Sequence, residues 1–202
     1  MKRGSQYFGF DLDNTLIDYR PAVVEFCRKQ HLPKMTSVQD LRSYLRASLG
    51  GDDSWQEAQA FLYLDGLKFA RPADGSMEFL DHLSASGVNL SIISHKSERT
   101  QKKFGSVDLR TPALDWIKNS AFSKFFDASY NIYFAESRAE KIQEISFQRP
   151  KWYLDDLVEV LADSFFPTET IPFLIGTSEP KKSHIIAVQN FDELRKIWKP
   201  KT

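Results

Sequence analysis

Short apolar segments recur along this chain, and stretches with helical periodicity separate each one from the next. Five of these segments predict β-strands and a weaker sixth follows them, in the order 7–11, 89–93, 131–134, 152–155, 172–175 and 184–188. The segments are apolar on both faces, as strands of a parallel sheet are when helices cover both sides. Strands that alternate with helices are typical of an α/β fold. The sequence therefore predicts a Rossmann-like, doubly wound and mostly parallel sheet.

Two helices of this pattern are well marked in the sequence, one before the second predicted strand and one after the last. The segments 75–86 and 190–198 carry apolar residues at helical spacing. Gly87 follows the first segment and provides a C-terminal stop. Asn190 and Glu193 match a capping pair at the start of the second segment. Both segments are therefore predicted to be helices that pack against the sheet.

The chain between the first two predicted strands is too long for a simple crossover. The first strand ends near Asp13 and the next begins near Asn89, whereas a crossover needs about a dozen residues plus its helix. The excess reads as three helices, at 21–30, 38–49 and 54–69. We predict that residues 16–71 form a small helical cap inserted after the first strand, and that 1–15 and 72–202 form the Rossmann-like core.

Composition excludes several classes of protein and partner. Lys plus Arg equals Asp plus Glu at 27 each, so charge gives no reason to expect nucleic acid or an anionic membrane as partner. No apolar run approaches the roughly 20 residues of a membrane helix, and no signal-peptide pattern follows the N-terminus. A cytoplasmic protein is expected. The single cysteine, Cys27, excludes an internal disulfide and is expected to be a buried thiol.

Two pairs of carboxylates follow predicted strands. Asp11 and Asp13 follow the first strand, and Asp155 and Asp156 end the fourth. The carboxyl ends of parallel strands meet at one edge, where open sheets bind ligands. Asp11 and Asp13 should point the same way if the strand continues through them. Because crowded acids repel unless a cation is present, the two pairs predict a divalent metal beside a separate proton donor.

Two further polar residues accompany these acids. Ser94 ends the second predicted strand, and Lys141 opens an apolar-periodic helix before the fourth. The run Asp11-Leu12-Asp13-Asn14-Thr15, then Ser94, Lys141 and the pair Asp155-Asp156, resembles the four motifs of the haloacid dehalogenase superfamily of phosphotransferases, in a poorly characterised branch. The resemblance covers the predicted core, and residues 16–71 match by position only.

The resemblance implies a magnesium-dependent phosphohydrolase. Asp11 would attack phosphorus as a nucleophile, and Asp13 would protonate the leaving oxygen and later activate water. Ser94 and Lys141 would hold the phosphoryl group. Thr15 would complete the phosphate-binding residues by bonding within its own loop.

The resemblance also implies a Mg²⁺ site. The ligands would be the carboxylates of Asp11 and Asp156 and the backbone carbonyl of Asp13. Asp155 would orient Lys141 or a metal-bound water, although an exchange of roles between Asp155 and Asp156 stays open. Many family members carry another acid where this chain has Val160 and Leu161. That departure weakens the metal assignment slightly.

Several functions would use the same residues. A small phosphorylated metabolite is the expected substrate, with a sugar phosphate preferred over a nucleotide. A phosphomutase, another phosphotransferase and a catalytically silent binding module with the same fold are the alternatives. A two-component receiver domain is disfavoured because its acids follow another order on a shorter chain. A dehalogenase is disfavoured because that chemistry needs neither Mg²⁺ nor an acid at Asp13. Oligomeric state is left open.

Other polar and aromatic residues receive structural interpretations. Lys96 and Arg99 are expected to be solvent-exposed rather than to recognise a second anionic group. Asp18 is expected to cap the helix that begins near Pro21. Three aromatic residues of the predicted cap are expected to pack in a core rather than to form a substrate platform: Trp55, Phe61 and Tyr63.

Overall fold

A computed structural model describes residues 6–48, 50–98, 108–179 and 182–199. The strands are β1 Tyr7–Phe10, β2 Ile17–Asp18, β3 Arg71–Pro72, β4 Asn89–His95, β5 Ile132–Ala135, β6 Trp152–Asp155, β7 Ile171–Ile175 and β8 Ile186–Val188. Six of them form one sheet in the order β5-β4-β1-β6-β7-β8, and every neighbouring pair is parallel. The predicted α/β fold with a parallel sheet is therefore confirmed.

The connections of the sheet define where a ligand is expected to bind. From β1 the chain builds β4 and β5 on one side, and it then crosses to build β6, β7 and β8 on the other. The strand order therefore reverses between β1 and β6. Open α/β sheets bind ligands at such a switch point, outside the carboxyl ends of the strands.

The described chain contains eight α-helices. They are α1 Arg20–Lys29, α2 Val38–Ala47, α3 Gly51–Tyr63, α4 Ser76–Ala85, α5 Arg110–Asn119, α6 Arg138–Gln148, α7 Val158–Leu161 and α8 Phe191–Ile197. The helix predicted at 54–69 is two elements, because the chain leaves helical geometry at Leu64 and continues as a 3₁₀ helix over Asp65–Phe69. At α8 the side chain of Asn190 accepts a hydrogen bond from the N–H of Glu193, as the capping pair predicts. No helix in the described ranges is both long and apolar enough to cross a membrane.

Side chains of the central strands alternate between two hydrophobic clusters, one on each face of the sheet. Phe8 and Phe10 of β1 belong to the larger cluster, together with apolar residues of α4 and α8. Gly9 lies between them on the opposite face, under the ring of Tyr153. A Cβ at Gly9 would lie 2.7 Å from a carbon of that ring, so the close approach of Tyr153 to β1 requires glycine.

The helical segment between β1 and β4 consists of α1, α2 and α3, which lie between β2 and β3. It packs against the same hydrophobic cluster. An antiparallel pair, β2 and β3, joins the two ends of this segment. The Asp18 carboxylate accepts the N–H of Arg20 at the start of α1, although the N-cap position belongs to Tyr19. Asp18 also binds the side chains of Arg20 and Arg71, which ties the pair together. Cys27 of α1 is buried, as expected, and the division at residues 16–71 stays a prediction.

Candidate active site

A cavity of about 1090 Å³ lies at the carboxyl ends of β1, β4 and β6. Its sheet side includes Asp11 and Ser94, and its opposite wall includes Arg42 of α2 and Trp55 of α3. Ligand pockets in proteins typically measure about 300–1,000 Å³. The cavity therefore has room for a phosphate ester with a sizeable leaving group.

The two acids that follow β1 both line the cavity but contact different partners. β1 ends at Phe10, although the N–H of Asp11 still donates to the carbonyl of Leu154 in β6, at 2.8 Å. Asn14 then adopts a left-handed conformation with φ of 61° and turns the chain. The sequence predicted a shared direction on the condition that the strand continues through Asp13, and the structure does not meet that condition.

The Asp11 carboxylate lies in a buried polar network. Its Oδ1 accepts hydrogen bonds from the Ser94 hydroxyl at 2.9 Å and from Lys141 Nζ at 2.6 Å. Lys141 Nζ also donates to Asp155 Oδ2 at 2.7 Å. Three segments that are distant in sequence thus meet at one carboxylate. The predicted convergence of Asp11, Ser94, Lys141 and Asp155 is what the geometry shows.

The position of Lys141 follows from the way α6 begins. The side chain of Ser137 accepts the N–H of Glu140 and caps the helix, so Lys141 lies in the first turn. Its side chain is 1% exposed. Burial alone would lower the pKa of Lys141, but the charges of Asp11 and Asp155 outweigh it and raise the pKa well above its ordinary value. Lys141 is therefore an ammonium held between two carboxylates.

Asp155 and Asp156 are adjacent in sequence but differ in their surroundings. Asp155 is fully buried, and its Oδ1 accepts the N–H of Leu157 at 2.9 Å. Asp156 is half-buried and forms no salt bridge with any described lysine or arginine. Burial and the charge of Asp11 raise the pKa of Asp155 to about 6, against the opposing effect of Lys141. Burial and the charges of Asp155 and Asp11 raise the pKa of Asp156 well above its ordinary value.

Three of these acids form a group that fits a metal ion. Asp11, Asp155 and Asp156 each offer a carboxylate oxygen, and these atoms lie within 4.8 Å of one another. Three carboxylates beside one ammonium leave negative charge in excess, and hard oxygen donors are the ligands that Mg²⁺ prefers. The donor set therefore fits a divalent cation. The side chain of Asp13 lies outside this group, and a role for its carbonyl stays a prediction.

Asp13 is held by residues that the sequence did not associate with it. Its Oδ1 accepts the Tyr19 hydroxyl at 2.7 Å, and Lys96 Nζ lies 2.7 Å from its Oδ2. Lys96 Nζ also lies 4.0 Å from the centre of the Tyr63 ring. Burial and the charge of Asp13 raise the pKa of Tyr19 well above its ordinary value, so Tyr19 stays a donor.

The expectation that Lys96 is solvent-exposed is wrong, since the residue is 3% exposed. β4 extends two residues beyond its predicted end, to His95, and Lys96 follows at the edge of the cavity. Its charge is compensated there by Asp13 and by the face of Tyr63. Arg99, which was given the same interpretation, lies outside the described residues.

The aromatic residues of α3 are both core residues and cavity walls. Trp55 is buried in the larger hydrophobic cluster, and Phe61 and Tyr63 pack against it, as predicted. Trp55 and Tyr63 also line the cavity. The sequence therefore identified their packing but not the position of Trp55 and Tyr63 on the cavity wall.

Thr15 does not form the predicted bond within its own loop. Its hydroxyl is buried and has no hydrogen-bond partner among the described residues. Main-chain bonds fix this loop instead, because the N–H groups of Leu16 and Ile17 both donate to the carbonyl of Leu12. Thr15 lines the cavity, and its buried hydroxyl is left without a hydrogen bond there.

The sequence matches no protein-family profile and no curated protein, but solved structures share its fold. A haloacid dehalogenase-like hydrolase from Streptococcus pneumoniae is 18% identical over 96% of this chain and 99% of that chain, with a TM-score of 0.61. Protein tyrosine kinase A from Mycobacterium tuberculosis is 17% identical over 95% and 97%, with a TM-score of 0.64. A magnesium-bound hydrolase of the same superfamily from Bacillus subtilis is 13% identical over 96% and 98%, with a TM-score of 0.59. At these identities the likeness shows the fold.

Proposed function

We propose that this chain, which has the haloacid dehalogenase-like fold, is a magnesium-dependent phosphohydrolase that acts through a phosphorylated aspartate at Asp11. The observation that carries the proposal is the convergence of Ser94 and Lys141 on one oxygen of Asp11. A group of three acids that fits a divalent cation lies at the same point. Each element of this arrangement has a role in phosphoryl transfer.

Asp11 is the proposed nucleophile. Ser94 and Lys141 hold its Oδ1, and no described residue donates to its Oδ2. One oxygen is thus oriented while the other stays available to attack phosphorus in line with the leaving oxygen. The new O–P bond forms as the ester P–O bond breaks, and positioning of this kind supplies much of the acceleration in phosphoryl transfer.

Asp13 is the proposed acid and base. It gives a proton to the leaving oxygen in the first half-reaction and takes one from the attacking water in the second, which restores Asp11. In the structure both of its oxygens accept hydrogen bonds, from Tyr19 and Lys96. That arrangement corresponds to the form that removes a proton from water.

The remaining residues hold the phosphoryl group and the metal. Ser94, Lys141 and the unpaired hydroxyl of Thr15 are the proposed phosphate-binding groups. Asp11 and Asp156, with the carbonyl of Asp13, are the proposed Mg²⁺ ligands. When bound, Mg²⁺ supplies positive charge that offsets the charge of the phosphoryl oxygens.

Asp155 is assigned to orient Lys141 rather than to bind the metal directly. Both of its oxygens already accept hydrogen bonds, from Lys141 and from the N–H of Leu157. Asp156 accepts no hydrogen bond from another described residue, only one from its own N–H, and is therefore the better direct ligand. Metal titrations of Asp155→Asn and Asp156→Asn would detect the opposite assignment, in which Asp155 binds the metal and Asp156 does not.

The proposed substrate is a small phosphorylated metabolite, with a sugar phosphate preferred over a nucleotide. The cavity of about 1090 Å³ has room for either, and its walls carry Trp55, Tyr63 and Arg42. A phosphotransferase is the second candidate. It is favoured by one observation, the shared fold of a solved structure that is described as a tyrosine kinase.

The proposal is tested by measuring phosphate release from an aryl phosphate and from a panel of sugar phosphates and nucleotides. Turnover is expected to require Mg²⁺ and to be abolished by Asp11→Asn, which keeps the size of the side chain. Turnover that survives in folded Asp11→Asn protein would contradict the nucleophile. Phosphate that passes to an acceptor alcohol rather than to water would favour the transferase.

A further inference from the structure

We propose that Tyr19, Tyr63 and Lys96 are positioning residues that orient Asp13 for proton transfer to the leaving group. These three residues are called the Asp13 clamp below. The inference rests on the proposed function, because it assigns a role within the same reaction. It adds that protonation of the leaving group depends on the helical segment between β1 and β4, whereas the attack by Asp11 does not.

Each oxygen of Asp13 has its own partner in the clamp. The Tyr19 hydroxyl donates to Oδ1 at 2.7 Å, and Lys96 Nζ lies 2.7 Å from Oδ2. Two partners on opposite oxygens fix the plane of the carboxylate as well as its position. A general acid must hold its proton within hydrogen-bond reach of the leaving oxygen, so this orientation controls its efficiency.

Lys96 is itself rigidly held. Its N–H donates to the carbonyl of Ala135 at 2.9 Å, and its own carbonyl accepts Arg110 Nε at 2.9 Å. Its ammonium has the face of Tyr63 on one side, at 4.0 Å, and Asp13 on the other. A buried ammonium must keep such contacts, because an unpaired buried charge is strongly unfavourable. Lys96 is therefore a fixed support for Asp13 and not a free cation for a second anionic group.

The two tyrosines come from opposite ends of the helical segment, which lies between β2 and β3 within the chain from β1 to β4. Tyr19 immediately precedes α1, and Tyr63 is the last residue of α3. Their rings pack edge to face with centroids 5.7 Å apart. In contrast, the partners of Asp11 are Ser94 at the end of β4 and Lys141 of α6. The nucleophile is thus supported by the sheet and its crossover helix, and the proton donor is supported partly by the helical segment.

This division predicts a dependence on the leaving group. An alkyl oxygen needs a proton as the P–O bond breaks, whereas p-nitrophenolate leaves without one. Loss of the clamp should therefore slow the hydrolysis of alkyl phosphates and of phenyl phosphates with basic leaving groups. It should affect the transfer of the phosphoryl group from p-nitrophenyl phosphate to Asp11 much less, because that step depends on Asp11 and its own partners and needs no acid.

The test compares the Mg²⁺-loaded wild-type protein with Tyr19→Phe and Lys96→Met, using a graded series of aryl phosphates and the best alkyl phosphate of the panel. We expect kcat/KM, which reports the steps up to departure of the leaving group, to fall about 10–100-fold for the alkyl phosphate and less than about threefold for p-nitrophenyl phosphate. Tyr19→Phe keeps the ring that contacts Tyr63 and removes only the hydroxyl, so it decides the test if Lys96→Met fails to fold.

Two controls separate positioning from general damage. Lys68→Met removes an exposed lysine that lies over the ring of Phe69, at 5.3 Å from its centre, and should leave the leaving-group dependence unchanged. Tyr63→Phe keeps the face beside Lys96, whereas Tyr63→Leu removes it. Tyr63→Leu should therefore reproduce the selective loss, and Tyr63→Phe should largely retain the wild-type dependence.

A double-mutant cycle shows whether the clamp acts through Asp13. In an Asp13→Asn background, Tyr19→Phe should add little to the loss on alkyl phosphates, because the acid is already absent. Equal losses for all leaving groups, or additive losses in the Asp13→Asn background, would overturn the inference while leaving the proposed function intact. Wild-type protein without turnover that depends on Mg²⁺ and Asp11 would instead overturn the proposed function, and the inference with it.

Discussion

Two buried lysines of the cavity, Lys141 and Lys96, contact different acids. Lys141 contacts two carboxylates, Asp11 and Asp155, whereas Lys96 contacts the single carboxylate of Asp13 and the ring of Tyr63. The Lys96 pair is therefore neutral. With all three acids ionised, the Lys141 site, which has Asp156 beside it, would carry two negative charges in excess. The comparison therefore favours the Lys141 site over the Lys96 site as the position of a divalent cation.

The largest expected effect comes from removing each lysine in turn. Lys141→Met should lower kcat for p-nitrophenyl phosphate by more than about a hundredfold, because it removes a charge that contacts the nucleophile. In the metal-free protein it should also cost about 3–5 kcal/mol of unfolding free energy, since two buried carboxylates lose their partner. Lys96→Met should have a smaller effect on this substrate. Steady-state kinetics and denaturant unfolding measure both effects, and equal kinetic losses would remove the distinction between the sites.

The next prediction distinguishes the roles of Asp155, the last residue of β6, and Asp156, which follows it. Asp156→Asn should raise the Mg²⁺ concentration for half-maximal activity by more than about tenfold. Asp155→Asn should mainly lower kcat at saturating Mg²⁺, because it frees Lys141 from one of its two partners. Metal titrations of both variants at one substrate concentration provide the measurement. The opposite pattern would exchange the roles of Asp155 and Asp156.

Stabilisation by Mg²⁺ should depend on pH. The pKa of Asp155 is raised from 3.8 to about 6 in the folded protein, so its contribution to stability is present below 3.8 and is lost as the pH rises through about 6. The raised pKa of Asp156 acts in the same direction. Mg²⁺ binds the ionised acids and should raise Tm by about 2–8 °C near pH 7.5 and much less near pH 5. An equal shift at both pH values, measured by thermal unfolding, would argue against metal binding at the group formed by Asp11, Asp155 and Asp156.

The smallest expected effect is on the free energy of unfolding and concerns Asp18, whose partners Arg20 and Arg71 are exposed. Burial would raise the pKa of Asp18, but hydrogen bonds from Arg20 and Arg71 outweigh it and lower the pKa. Its contribution to stability is therefore present above 3.8 and is lost as the pH falls through its lower folded value. Asp18→Asn should cost about 1 kcal/mol near neutral pH, because both arginines are half-exposed and screened by water. Unfolding measured down to low pH should show this difference disappear.

The fold was largely predictable because its signals are local. Apolar strands bounded by polar residues placed β6 without error and the other strands of the sheet to within two residues. The break between α3 and the following 3₁₀ helix was missed. It occurs at Leu64, two residues before Gly66, where a Cβ would lie 2.8 Å from the carbonyl of Phe61. The apolar spacing of the sequence does not record this local change of backbone conformation.

The site was predictable where its residues follow strands and unpredictable where they do not. The ends of β1, β4 and β6 meet at one edge, which brought Asp11, Ser94 and Asp155 together as expected. Tyr19 carries no such signal, and Lys96, although it follows β4, was expected to be exposed because nothing in its spacing pairs it with Asp13. Their relation to Asp13 depends on the turn at Asn14 and on the packing of the helical segment, and neither can be read from spacing.

The most direct test of the account is to identify the phosphorylated residue. Asp13→Asn protein should react with p-nitrophenyl phosphate in the presence of Mg²⁺ and accumulate the covalent intermediate, because the base that activates water is missing. After rapid acid quenching, mass spectrometry of the proteolytic peptides should find one phosphoryl group on the peptide that contains Asp11, and the double variant with Asp11→Asn should lack it. A phosphoryl group on a different residue, or continued turnover after Asp11→Asn, would contradict the central role of Asp11.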